Sequence, residues 1–208
     1  MSQEKFIIFD MDDVVAQMRE VLTEFFNGVS KNGYVHHKDW HTLDCKELYG
    51  VDFDPQAMID EKIIERCEPE ADAKETFDKL HEMGFKIVVA TARGWHPQGA
   101  ELTEEWLHKH DLHQDEIHAV SLSGKGKTEV FDKVAQRGRI AGFIDDQDKY
   151  LSQSHSHDGV EKTFAMNRPW NLESKAFDHR VDSLTEFRQS VQRHEKKLKN
   201  RSTVSFSM

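Results

Sequence analysis

The sequence predicts an α/β protein built on a doubly wound parallel sheet. Three observations carry this: apolar runs of strand length (FIIF at Phe6–Phe9, FKIVVA at Phe85–Ala90, IAGFI at Ile140–Ile144), segments of helical period between them, and polar residues directly after each run. Strands alternating with helices imply parallel pairing, with right-handed crossovers as the default. Ligands in open sheets of this kind bind beyond the carboxyl ends of the strands, so the polar residues there are the first candidates for function.

The elements follow in order. After the first strand, Met18, Val21, Leu22, Phe25 and Phe26 recur at helical spacing, with Gly28 and Gly33 marking the exit. A polar, aromatic-containing stretch from Tyr34 to Phe53 comes next. Asp54 and Pro55 then fit the N-cap and first position of a helix running to about Cys67. Ala73, Phe77 and Leu80 line one face of another helix, which Gly84 would cap before the second strand. A helix around Leu102–His110, a strand around Ile117–Leu122, and a helix through Val130, Phe131 and Val134 stopping at Gly138 continue the alternation. A fourth strand, Ile140–Ile144, ends in Asp145 and Asp146, and a fifth, Thr163–Met166, precedes Asn167-Arg168-Pro169-Trp170-Asn171.

This order divides the chain into a core (1–15 and 68–192), a small helical cap (16–67) inserted after the first strand, and a basic tail (193–208) expected to fray and be disordered. The interval from Ala16 to Cys67 is too long for one crossover helix, which is why it reads as an insertion over the site.

Composition narrows the function classes. The chain has 208 residues, 32% of them charged, and a formal net charge of -10. That balance argues against a footprint on duplex nucleic acid, which rests on lysine and arginine displacing counterions. A small anionic substrate held by a local cation remains compatible. No apolar run approaches the roughly 20 residues of a membrane span. Two cysteines, Cys45 and Cys67, and an N-terminus unlike a cleavable signal make cytoplasmic free thiols the expectation.

The chemistry gathers at the strand ends. Asp10, Asp12 and Asp13 crowd three like charges into four positions, which calls for either a divalent metal or a solvated loop. The second strand ends in Thr91, Ala92 and Arg93; Lys125 and Lys127 precede a helix; the fourth strand supplies Asp145 and Asp146. Arg93 has two readings of equal weight, a phosphate ligand or the partner of a nearby carboxylate. His108, His110, His113 and His118 are spread over a helix, a loop and a strand, so a solvated face is the better reading than zinc. Trp40 and Phe53 either fill the insertion's own core or stack on a base, with the core favoured.

In order and spacing these groups resemble the haloacid dehalogenase (HAD) superfamily of phosphotransferases: an apolar strand into Asp-x-Asp, a Thr ending a strand, a Lys, and an acidic pair. The resemblance implies a Rossmann-like fold and Mg2+-dependent phosphatase chemistry. Asp10 would be the nucleophile that forms an aspartyl-phosphate, and Asp12 the acid/base. Thr91, Ala92, Arg93 and Lys127 would bind substrate; Asp10, Asp12 (through its carbonyl) and Asp146 would hold the metal, with Asp145 supporting them. Lys127 is preferred to Lys125 because it sits directly before the helix. Within the superfamily, the short insertion, Gly126-Lys127-Thr128-Glu129-Val130, Phe143-Ile144-Asp145-Asp146 and Asn167-Arg168-Pro169-Trp170-Asn171 resemble the 5'(3')-deoxyribonucleotidase (5'-nucleotidase type C) group, implying a nucleoside monophosphate as substrate. A polynucleotide 3'-phosphatase and a non-catalytic Mg2+ or nucleotide-binding module are the alternatives. One position departs from the pattern: Asp13 stands where the family usually has Gly, so the turn there must be one that aspartate tolerates.

Overall fold

A computed structural model describes residues 3–205 of the chain, with side chains over 3–200. Six strands form one sheet in the order β3-β2-β1-β4-β5-β6, where β1 is Glu4–Phe9, β2 Lys86–Thr91, β3 Glu116–Ala119, β4 Gly138–Asp145, β5 Thr163–Met166 and β6 His179–Val181. Every neighbouring pair is parallel. The doubly wound sheet expected from the apolar runs is therefore present, with a sixth strand in addition to the five expected. The third strand is also shorter than predicted, ending at Ala119 rather than Leu122.

Alternation along β1 builds the two faces. Ile7 and Phe9 join Ile87, Val89, Ile144 and Phe164 on one side, while Phe6 and Ile8 join Val88, Ala90, Ile140 and Phe143 on the other. The first face is covered by α5 (Ala73–Glu82), α6 (Gly99–Lys109) and α9 (Leu184–Ser205) through Phe77, Leu80, Trp106, Leu107, Phe187 and Val191. Phe9 meets Phe77 at 4.9 Å and Phe187 at 5.3 Å between ring centroids, so this side is a large aromatic core. The second face is covered by α7 (Thr128–Ala135) and α8 (Asp148–His155) through Val130, Phe131, Val134 and Tyr150.

The segment between β1 and α5 carries α1 (Met18–Val29), α2 (Cys45–Tyr49), α3 (Pro55–Asp60) and α4 (Ile63–Arg66). It leaves and rejoins the sheet side by side: Gln17 N–H donates to Glu68 O and Glu70 N–H to Val15 O, both at 2.8 Å, and Ala16 pairs antiparallel with Pro69. Phe26, Trp40, Leu48 and Tyr49 form its own small core, where the Trp40 indole donates to Tyr49 Oη at 2.8 Å.

Three expectations need correction. The helix expected from Asp54 to about Cys67 does begin there, with Asp54 accepting from Gln56 N–H and Ala57 N–H, but it is broken by Lys62 at φ 52° into α3 and α4. The helix expected to stop at Gly138 ends at Ala135; Gly138 instead opens β4, where a Cβ would lie 2.4 Å from Glu4 O. Gly138→Ala is accordingly expected to lower stability by about 1–3 kcal/mol, read from urea unfolding midpoints. The tail from Arg193 onwards, expected as a fraying helix end and a disordered terminus, is helical to Ser205, with Val191 buried and Glu195 paired with Lys5 and Arg139 of the sheet. Residues 206–208 of that tail lie outside the described residues.

Candidate active site

The site lies where the sheet's connections diverge, at the carboxyl ends of β1 and β4. Asp10 follows β1 directly, and its N–H still donates to Ile144 O at 3.0 Å, which holds it beside Asp145 at the end of β4. Asp10, Asp145 and Asp146 each bring a carboxylate oxygen to within 4.8 Å of the others. All three are buried, as is Lys127, the N-cap of α7, whose ammonium donates to both Asp10 and Asp145. Lys125 is exposed, so Lys127 is the lysine that reaches the acids.

Burial dominates the electrostatics. It pushes Asp10 up to about 8 against the opposing pull of Lys127, and it raises Asp145 and, further, Asp146. Burial alone would depress Lys127, yet the charges of Asp10 and Asp145 hold it above its ordinary value. Three buried carboxylates therefore have one ammonium among them, bonded to two, which favours a further cation.

The hydrogen-bond pattern shows where such a cation fits. Asp145 has both oxygens engaged, one by Lys127 and the other by Gln147 N–H at 2.8 Å. Asp10 Oδ2 and Asp146 Oδ1 are buried with no partner in the protein, and so is Thr91 Oγ1 at the end of β2. Unsatisfied carboxylate oxygens on two adjacent buried acids suit a hard divalent ion such as Mg2+, and an unpaired hydroxyl suits an oxyanion.

Asp12, two residues beyond Asp10, does not continue the strand. Strand geometry stops at Phe9, and the chain turns through Met11–Ala16, with Val15 N–H and Ala16 N–H both donating to Met11 O at 2.8 Å. Asp12 consequently faces Arg93, whose Nε lies 3.0 and 3.2 Å from its two carboxylate oxygens and whose Nη2 lies 2.5 Å from Oδ1. Arg93 is fully buried and also donates to Thr103 Oγ1 at 3.1 Å. Of its two readings, the carboxylate partner is the one this geometry supports. Burial would lower the guanidinium's pKa, but Asp12 raises it.

Asp13 adopts φ 57°, a left-handed conformation that favours glycine and that aspartate tolerates better than most residues. Its carboxylate accepts from Arg19 N–H at 3.1 Å, tying the turn to the first residues of α1, and burial pushes its pKa up to about 7.

A pocket of about 210 Å³ opens beside these acids, with Asp12, Asp13, Asp146 and Ala92 in its lining. Apart from Gln147, its remaining wall is apolar and aromatic: Phe26, Trp40, Phe53 and Trp95 among others. Trp40 is buried in the insertion's core, as favoured from sequence, whereas Phe53 is 43% exposed and meets Trp95 edge-on at 5.8 Å. Leu43, Phe53 and Leu122, three of the exposed large apolar residues, all stand on this pocket. Trp95, Leu43 and Leu122 carry no local signal as wall residues, since their convergence depends on tertiary packing. Among the described residues, the histidines form no metal-ligand cluster.

Neither a protein-family model nor a curated relative matches the chain. Solved structures do. A HAD phosphatase from Thermococcus onnurineus superposes with a TM-score of 0.56 at 16% identity, covering 90% of this chain and 97% of its own. The L-2-haloacid dehalogenase from Xanthobacter autotrophicus, with chloropropionic acid covalently bound, gives 0.62 at 10% identity over 92% and 99%. A haloacid dehalogenase-like family hydrolase from Streptococcus pneumoniae gives 0.60 at 13% identity over 90% and 98%. The chain shares a Rossmann-like α/β fold with these structures.

Proposed function

We propose that this protein is a Mg2+-dependent phosphatase of the HAD type that hydrolyses a small phosphomonoester, a nucleoside monophosphate, through an aspartyl-phosphate on Asp10. The observation that carries the reading is the pair of unpartnered buried oxygens on Asp10 and Asp146, set beside Lys127 and within reach of a pocket that Asp12 lines. Asp10 and Asp146, with the Asp12 carbonyl, would hold the ion, and Asp145 would support them by anchoring Lys127. When bound, Mg2+ supplies charge neutralisation for the phosphate and for the crowded carboxylates.

The chain's own residues do the rest. An Asp10 carboxylate oxygen forms a bond to phosphorus as the ester P–O bond breaks, and the leaving alkoxide takes a proton from Asp12. Asp12, now ionised, removes a proton from water, which attacks phosphorus and releases Asp10 and inorganic phosphate. Arg93 keeps the Asp12 carboxylate in one orientation through both steps. Lys127 offsets charge on Asp10 and the phosphoryl group, and the free hydroxyl of Thr91 is available to a phosphoryl oxygen.

Asp12 also favours this reading over dehalogenation, because a departing halide needs no proton, whereas a departing alkoxide gives the general acid a task in the first step. The aromatic wall of Phe26, Trp40, Phe53 and Trp95 supports a planar leaving group such as a nucleoside over a sugar. The net charge of -10 supports a small substrate over duplex nucleic acid. Two free thiols, Cys45 pushed up to about 11 and Cys67 to about 12 by burial, support a cytoplasmic setting. Among the described residues, no helix is long and apolar enough to cross a membrane.

The test is a Mg2+-dependent phosphate-release panel of deoxynucleoside 5'- and 3'-monophosphates, a 3'-phosphorylated oligonucleotide and sugar phosphates. Mononucleotides are expected to turn over fastest, and preference for the oligonucleotide would make the protein a polynucleotide 3'-phosphatase. Asp10→Asn is expected to abolish turnover while leaving the circular dichroism spectrum unchanged. Undiminished hydrolysis by that variant would sink the covalent route, and silence across the whole panel would point to a binding module.

A further inference from the structure

The segment 167–171 after β5 is bonded to both sides of the acid cluster. Arg168 Nε donates to Asp13 O at 2.9 Å, while its Nη2 donates to Glu70 at 2.6 Å. Asn171 Nδ2 donates to Asp146 O at 2.7 Å and to Met166 O at 2.8 Å, and Arg180 of β6 holds Asn171 in turn through its side-chain and backbone oxygens at 2.6 and 2.8 Å. Trp170 Nε1 donates to Asp146 Oδ2 at 2.8 Å. The Trp170 ring lies 6.2 Å from that of Trp40, with the Arg19 guanidinium 5.4 Å over it.

A carboxylate presents two chemically equal oxygens, and rotation about its last bond exchanges them. In Asp146 the indole removes that freedom: Oδ2 is taken, and Oδ1 is left buried and without a partner. Building on the Mg2+ reading above, we infer that Trp170 is a positioning residue for the cation, its indole N–H fixing Asp146 so that Oδ1 alone is offered to the ion. The same ring packs against Trp40, which lines the substrate pocket, so the ion's ligand and the pocket wall share one rigid neighbour. Loss of a hydrogen-bond partner behind a metal ligand typically weakens metal binding by about 10- to 100-fold.

Trp170→Phe keeps the packing ring and deletes the N–H. Isothermal titration of the full-length protein with MgCl2 is expected to show affinity lowered by about 10- to 100-fold, while KM for the substrate at saturating Mg2+ stays at the wild-type value. Arg19→Met removes the cation over the same ring but leaves the N–H, and is expected to keep wild-type Mg2+ affinity. Equal Mg2+ affinity in wild type and Trp170→Phe overturns the inference, as does an equal loss in Arg19→Met, which would assign the effect to packing. Absence of Mg2+ binding by the wild type would instead remove the metal reading itself. Should Trp170→Phe fail to fold, Asp146→Asn supplies the measurement: it leaves Trp170 packed, and unchanged Mg2+ affinity in it overturns the inference because Asp146 would then not ligate.

Discussion

Lys127→Met is expected to cost about 3–5 kcal/mol of folding stability and to abolish turnover. Lys127 is fully buried, its ammonium bonded to Asp10 and Asp145 and set 4.4 Å from the Tyr150 ring centroid. Methionine fills a similar volume but brings no charge, so three buried carboxylates lose the ammonium that two of them share. Their escape is to bind protons, toward which burial already drives Asp10, Asp145 and Asp146. In the proposed mechanism Asp10 must be ionised to attack phosphorus, so the same substitution is expected to remove stability and chemistry together. Urea unfolding followed by circular dichroism measures the first effect and phosphate release the second. Wild-type stability in the variant would mean that the ammonium does not balance these acids in the fold.

Arg93→Lys is expected to lower kcat by about 100-fold while KM changes little, the size of effect that belongs to a misplaced general acid/base. The guanidinium grips both oxygens of Asp12 with Nε and adds Nη2, a planar fork that a lysine ammonium cannot reproduce. Thr103 completes the cradle: it accepts from Arg93 Nη1 and donates to Gly99 O at 2.6 Å. Charge is conserved in the variant, so a drop in kcat reports orientation. Steady-state kinetics at saturating Mg2+ make the measurement, and an unchanged kcat would show that the Asp12–Arg93 geometry does not govern the rate.

What could be read from the sequence was whatever the chain's local pattern determines. Phe6–Phe9 and Ile140–Ile144 are apolar runs too short for a helix and end in acids, so both the central strands and the residues at their ends were legible. Lys127 was legible through the resemblance to the phosphotransferase motifs, and its place directly before a helix chose it over Lys125. β6 was not, since three residues, His179–Val181, carry no usable period. The break at Lys62 lies in a stretch without Gly or Pro, so nothing local announces it. Long-range partners were equally hidden: Glu195 is held by Lys5 and Arg139, and Asp12 by Arg93, across separations that only the folded sheet closes. The motif at 167–171 stood out as a pattern, yet that its indole reaches Asp146 depends on side-chain direction and not on spacing.

The side-by-side departure and return of the segment between β1 and α5 has a consequence for how such a protein can vary. Because Gln17 meets Glu68 and Ala16 meets Pro69, the ends of the excursion are already closed, and the entropy of closing it grows only slowly with its length. Lengthening, shortening or replacing the segment leaves the hydrogen bonds at its base and the sheet beneath unchanged. The part of the pocket wall that this excursion supplies can thus drift by exchange of a self-closed loop while the acids on the sheet stay where they are.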